Sequence, residues 1–196
     1  MILFHAELFV QDNVGTEEER KEFVQHCLNM KETNLNNAEN YSNDGCWRKH
    51  LSPSDTPQWL QDNILKLSKQ VVDAYRNQDR FKKEFNGLKP TDEIDFNYSP
   101  WLNINEPKSK NVMHSHEKSS ISGIYYLQSE GTGALRFHNP ANTLVQCNHT
   151  SPSVSSLDIN PIDGYLLIWP SWVPHEVLVN ESDKQRINIA FNIELN

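Results

Sequence analysis

The sequence predicts an α+β protein: a double-sheet jelly roll with N-terminal helices packed on one of its sheets. Three observations carry this. Helical periodicity is confined to residues 1–90. After Pro90, short runs rich in β-branched and aromatic residues recur between Gly, Pro, Asn and Ser turns. The last run alternates, with Ile187, Ile189, Phe191 and Ile193 on one face and Arg186, Asn188, Ala190 and Asn192 on the other. The apolar face needs a cover, which amphipathic helices provide, and the polar face then lines the roll. We expect a single domain over 1–196, with 1–90 mainly helical support and 91–196 the jelly-roll core.

Taken in order, Ile2 to Val10 reads as an opening strand with a break near His5. Gly15 follows. Thr16 and Glu19 form a capping box, and Phe23, Val24, Cys27 and Leu28 make one stripe of a helix. Residues 32–55 are Asn- and Ser-rich and read as a long ordered loop, pinned by Tyr41 and Trp47 around Asn43-Asp44-Gly45. Such a loop is a candidate lid. Thr56-Pro57 opens a second helix, with Leu60, Ile64, Leu67, Val71 and Ala74/Tyr75 on its buried face, ending near Asn77. Asp79 to Phe85 adds a short helical turn before Gly87 and Pro90.

Strands are expected at Glu93–Phe96, Trp101–Asn105, Val112–Glu117, Ser122–Gln128, Ala134–Phe137, Thr143–Cys147, Val154–Ile159, Gly164–Trp169, His175–Val179 and Arg186–Leu195. On the Val112–Glu117 strand, His114 and His116 point to one face and can close on one metal ion. His175 follows a Pro-bounded turn at the start of a late strand, and Arg186 comes eleven residues later. An inward Arg with two inward Asn is costly in a closed core unless they bind something. Trp169 and Trp172 read as core and pocket wall.

A formal net charge of −8 with no Lys/Arg cluster argues against nucleic acid as partner. No apolar run reaches membrane-spanning length, and the start lacks the pattern of a signal peptide. Cys27, Cys46 and Cys147 form no CxxC pair, which fits reduced thiols in the cytoplasm.

The paired His, the late His and the Arg after it resemble the arrangement of non-haem Fe(II) oxygenases dependent on 2-oxoglutarate. More specifically, the chain resembles the 2OG-Fe(II) oxygenase family of tailed phages and marine bacteria. The resembling segments are Ser42-Asn43 to Gly45 with Trp47, Trp101 to Asn105, and Asn111-x-x-His114-x-His116. Others are Ser122-Gly123-Ile124-Tyr125-Tyr126, Phe137-x-Asn139-Pro140, Pro170-Ser171-Trp172-x-x-His175 and Arg186 to Asn192. The resemblance implies a double-stranded β-helix, the same jelly roll, and a dioxygenase that hydroxylates a C–H bond of a peptidyl or small-molecule substrate. It implies Fe(II) on His114, His116 and His175, and 2-oxoglutarate with its far carboxylate on Arg186. Tyr125 or Tyr126 would add a hydroxyl, only one of them facing inward, and Asn103, Asn105 and Asn188 would line the same pocket. Partners would be 2-oxoglutarate, O2 and a substrate, in the cytoplasm (the host's, if viral), with a homodimer allowed.

One departure stands out: most such enzymes carry a carboxylate where His116 stands. Three neutral ligands leave the metal's full charge to the dianionic cofactor, and the site is open to Zn(II) or Ni(II). Two rivals remain. A cupin-type metal protein fits Gly164, Pro170 and His175, but Ser120 and Ile121 stand where its first motif needs Glu. A metal-free jelly-roll binding or virion protein would have lost ligands or Arg186, and neither is lost.

Overall fold

The computed structural model describes residues 6–34, 43–76, 90–140 and 155–196. Two helices come early: α1 (Glu17–Thr33) and α2 (Gln58–Arg76). The strands are β1 (Phe9–Gln11), β2 (Asn43–His50), β3 (Phe96–His114), β4 (Ile121–Gln128), β5 (Leu135–His138), β6 (Ser156–Ile159), β7 (Leu166–Pro170), β8 (His175–Val177) and β9 (Arg186–Leu195). All pair antiparallel, in the order β1-β7-β4-β9-β3-β8-β5-β6, with β2 on β3. This is a double-stranded β-helix.

α1 starts where its capping box lies: the Glu19 amide donates to Thr16 Oγ1 at 3.2 Å, and the Thr16 amide to Glu19 Oε2 at 2.8 Å. Pro57 sits just ahead of α2, where its missing N–H costs nothing. Phe23, Cys27, Leu60, Ile64, Leu67 and Val71 of the helices pack against Ile187, Ile189, Phe191 and Ile193 of β9 and against Leu102 and Ile104 of β3. The alternation of β9 thus sends its apolar face to the helices. Its other face, with Arg186 and Asn188, is buried inside the roll. A second core of Ile124, Tyr126, Leu135, Phe137, Leu167 and Trp169 closes the roll from below.

Two expectations change. Residues 43–50 are a strand, not a loop: β2 pairs with β3 from Asn43↔Asn111 to His50↔Trp101, and Trp47 is buried in the helix-side core. The backbone ladder overrides a composition poor in strand formers. The first three expected strands after Pro90 are one element. β3 runs along β9 from Phe96 to Asn105, turns at Pro107 and Lys108 (φ 68°), and passes to β8 at Asn111 and His114. Tyr41, the turn at 79–85 and the strand at Thr143–Cys147 lie outside the described residues.

Gly123 sits where β4 crosses Phe191. A Cβ there would lie 2.2 Å from Phe191 Cζ and 2.8 Å from Leu167 O. Gly123→Ala should therefore cost about 1–3 kcal/mol of stability through overpacking, read by urea denaturation. An unchanged midpoint would contradict this packing.

Candidate metal centre

β3 ends at His114, directly opposite His175 of β8. His116 lies two residues beyond the strand, in a turn, so strand alternation is not what aims it. Its amide donates to Ser171 O at 2.9 Å, and its carbonyl accepts from the Ser119 amide at 3.2 Å. The three imidazoles nonetheless converge. Ring centroids are 4.4 Å apart for His114 and His175, 5.0 Å for His114 and His116, and 5.3 Å for His116 and His175. Their ligating nitrogens all lie within 4.8 Å of one another.

Tautomers are set by the backbone. His114 Nδ1 donates to Val112 O at 2.7 Å and His175 Nδ1 to Val173 O at 2.9 Å, leaving each Nε2 lone pair for a ligand. His116 Nδ1 lies 3.4 Å from the Asn192 amide, whose oxygen accepts from the Ser122 hydroxyl at 2.7 Å. Burial holds His116 down at about 4 and His175 down at about 3, with neighbouring His114 adding to both. His114 is lowered by burial and by Arg48, against the pull of its bond to Val112. All three are therefore neutral near pH 7, the state a metal requires.

Around them, Trp169 meets His175 edge-on at 5.0 Å and Phe137 at 5.1 Å, and Trp101 lies 5.9 Å from His116. Trp172, expected in the wall, is 45% exposed and lines a separate apolar groove between α2 and the end of β9.

Further along the same pocket is Arg186, 1% exposed. Its Nη1 donates to Thr132 O at 2.9 Å, while Nε and Nη2 find no acceptor among the described residues. Asn105, its cross-strand partner, also has a buried, unpaired Nδ2. Asn103 Nδ2 donates to Asn188 Oδ1 at 3.0 Å, so those amides satisfy one another in part. Thr132 O is brought to Arg186 by a tight turn: Gly133 (φ 93°) packs where a Cβ would meet Leu178 O at 2.5 Å.

Of the tyrosines, Tyr126 is the inward one. It is 1% exposed, and Arg186 pulls its phenol down against the larger upward push of burial. Tyr125 faces the helices, where its hydroxyl donates to Val14 O at 2.6 Å. The structure does not bring Tyr125 to the pocket. Cys46 lies behind Asn103, its Sγ 3.9 Å from Asn103 Oδ1, with a thiol pushed up to about 12 by burial, too high to act as a nucleophile. Arg48 lines the pocket and was not expected there; its signal was hidden in the segment read as a loop.

An unpaired guanidinium inside a protein is costly, and two free N–H groups on one planar fork suit one carboxylate. Three neutral imidazole acceptors on one side suit a divalent transition metal. The residues present therefore fit a metal and a dicarboxylate side by side.

Residues 99–192 match the family model described as "Putative 2OG-Fe(II) oxygenase". A search of curated proteins returns no match. Solved structures do match in fold. A Pseudomonas putida prolyl-4-hydroxylase aligns with TM-score 0.62 and 17% identity over 95% of this chain and 91% of that one. A Trichoplax adhaerens prolyl hydroxylase, in complex with a hypoxia inducible factor peptide fragment, gives 0.61 and 14% over 95% and 83%. HygX from Streptomyces hygroscopicus, with nickel and 2-oxoglutarate bound, gives 0.58 and 11% over 95% and 82%.

Histidines kept neutral by burial destabilise the fold on acidification. The unfolded chain takes up protons near pH 6.5, while the folded chain resists until about 4 or below. The melting temperature of metal-free protein should fall from pH 6.5 to 4, and less steeply in His175→Leu. Identical slopes in the two proteins would contradict a neutral buried trio.

Proposed function

We propose that this chain, a member of the 2OG-Fe(II) oxygenase family by its match over residues 99–192, hydroxylates a C–H bond of a peptidyl or small-molecule substrate. Fe(II) and 2-oxoglutarate are its cofactors. In this reading His114, His116 and His175 hold the metal through the lone pairs that their surroundings leave open. Arg186 takes the far carboxylate of 2-oxoglutarate on its two unpaired N–H groups, helped by Asn105 and the Tyr126 hydroxyl. Asn103 and Asn188 shape the pocket floor as a mutually bonded pair. The observation that carries the reading is the buried, half-unpaired Arg186 in the same pocket as the three histidines.

Iron and 2-oxoglutarate held by these residues would supply the oxidative chemistry: the four electrons that reduce O2 would come in equal halves from decarboxylation of 2-oxoglutarate to succinate and CO2 and from the substrate C–H, which would become C–OH. The protein's part is placement. Trp101, Phe137 and Trp169 wall the histidines and restrict water there. The helices on the outer face of β9 fix the strand that presents Arg186 and Asn188.

We lean to a peptidyl substrate because solved structures of this fold include two prolyl hydroxylases, one holding a peptide fragment. Every residue invoked comes from one chain, so a homodimer is not required. Cys27 and Cys46 are free and buried, which fits a reducing cytoplasm, the host's if the gene is viral. No described helix is long and apolar enough to cross a membrane. Residues 1–90 act in this reading as support for the 91–196 core, within one domain.

Two substitutions separate the roles. His175→Ala should abolish stoichiometric Ni(II) binding by calorimetry, and retained occupancy would remove His175 from the centre. Arg186→Ala should keep the metal but weaken 2-oxoglutarate by about tenfold to a hundredfold, the worth of a charge-assisted pair. Unchanged cofactor affinity would remove Arg186 from the site.

A further inference from the structure

Two of the three histidines are held by their own backbone. His114 Nδ1 bonds Val112 O at 2.7 Å and His175 Nδ1 bonds Val173 O at 2.9 Å, each carbonyl two residues earlier in the chain. A carbonyl only accepts, so it fixes the hydrogen on Nδ1 and leaves the Nε2 lone pair for a metal. His116 lies past the end of β3, and the group that meets its Nδ1 is a side chain, the amide of Asn192, at 3.4 Å.

Asn192 stands on β9 opposite Ser122 of β4. The Ser122 hydroxyl lies 2.7 Å from Asn192 Oδ1 and 3.0 Å from Ser171 Oγ, and both serines are buried. The Ser171 carbonyl in turn accepts the His116 amide at 2.9 Å. A circuit therefore runs from the His116 ring through Asn192, Ser122 and Ser171 back to the His116 backbone.

The circuit can run in two directions. An amide has a donor end and an acceptor end, and a half-turn exchanges them. With Nδ2 toward His116, the ring must accept at Nδ1, and its hydrogen sits on Nε2, where it blocks a metal. With Oδ1 toward His116, the ring donates from Nδ1 and Nε2 is free. The serines suit both directions. In the first, Ser171 donates to Ser122 and Ser122 donates to Asn192. In the second, Asn192 Nδ2 donates to Ser122 and Ser122 donates to Ser171. A hydroxyl has one hydrogen, so the chain reverses as a unit.

We infer that Asn192 is a positioning residue for the metal centre: its side-chain oxygen accepts the Nδ1 hydrogen of His116, the part that Val112 O and Val173 O play for the other two rings. Ser122 and Ser171 hold the amide in that direction. The reversed chain is a metal-refusing state of the same four groups, so metal binding and the direction of the chain are linked. This deepens the oxygenase reading and rests on its metal centre. Asn192 acts there through His116 and touches neither cofactor nor substrate.

Protein carrying isotope-labelled histidine is loaded with Zn(II), which is diamagnetic, and nitrogen–proton correlation spectra show which ring nitrogens carry hydrogen. Zn(II) affinity is measured by competition with a chelating dye. In the wild type all three rings should carry hydrogen on Nδ1, that of His116 protected from exchange with water. Asn192→Leu, which removes the hydrogen bond at similar size, should weaken Zn(II) by about tenfold to a hundredfold and open the His116 hydrogen to exchange. Asn192→Asp, which offers oxygen to the ring at either end, should bind Zn(II) at least as well as the wild type and hold the Nδ1–H form of His116 before metal is added. His114 and His175, anchored on backbone, should keep their tautomers in both variants. Wild-type affinity in Asn192→Leu overturns the inference, as does a Zn(II)-loaded wild type whose His116 Nδ1 carries no hydrogen. Weaker Zn(II) binding by Asn192→Asp than by the wild type also overturns it, leaving Asn192 a packing residue. Should Asn192→Leu fail to fold, the wild-type spectrum and Asn192→Asp still decide. A wild type that binds no Zn(II) would instead sink the oxygenase reading, and this inference with it.

Discussion

A charged guanidinium sealed in a protein with too few acceptors is among the least favourable things a fold can hold. Arg186 is in that position: one N–H is satisfied by Thr132 and two sites on the fork are left open. Arg stays protonated at any ordinary pH, so it cannot escape by neutralising, although burial pushes its pKa down. The surrounding structure is consistent with keeping that charge in place for a ligand. β9 is held rigid by the helix-side core on its other face. Gly133 allows the Thr132 turn to come close enough to take one N–H. The neighbouring polar groups are neutral amides and a phenol, none of which would compete as a counter-ion.

The opposite end of the pocket follows the complementary logic. Burial keeps the histidines neutral, so their nitrogens act as lone pairs rather than as cations that would repel a metal. Backbone carbonyls at Val112 and Val173 fix which nitrogen is offered. Read as a third ligand in place of a carboxylate, His116 would make the centre one charge more positive. In the proposed reading, three neutral imidazoles at one end and the half-paired Arg186 at the other both call for an anionic ligand, which links the two ends in one electrostatic constraint.

Much of this was legible in the chain. β9 shows both its faces because its neighbours bury one face in apolar side chains and the other around polar ones. The helix starts are written in Thr16, Glu19 and Pro57. The convergence of His114, His116 and His175 was expected, but the route was not: His116 reaches the centre from a turn anchored on Ser171. β2 was illegible because Asn, Asp, Gly, Arg and Lys form a strand there only by pairing with β3, a contact between segments far apart in sequence. Arg48 was hidden for the same reason. The choice between Tyr125 and Tyr126 needed the register of β4 against β9, which periodicity alone does not give. Trp172 reads as core by type, yet the turn before His175 leaves it outside.

The most direct test is an anaerobic titration of the metal-free protein with Fe(II) and then 2-oxoglutarate, watching for the weak visible charge-transfer band of the chelate. The band should appear in the wild type, be absent in His175→Ala, and need far more 2-oxoglutarate in Arg186→Ala. Iron binding without any band in the wild type would contradict a pocket built to hold the two side by side.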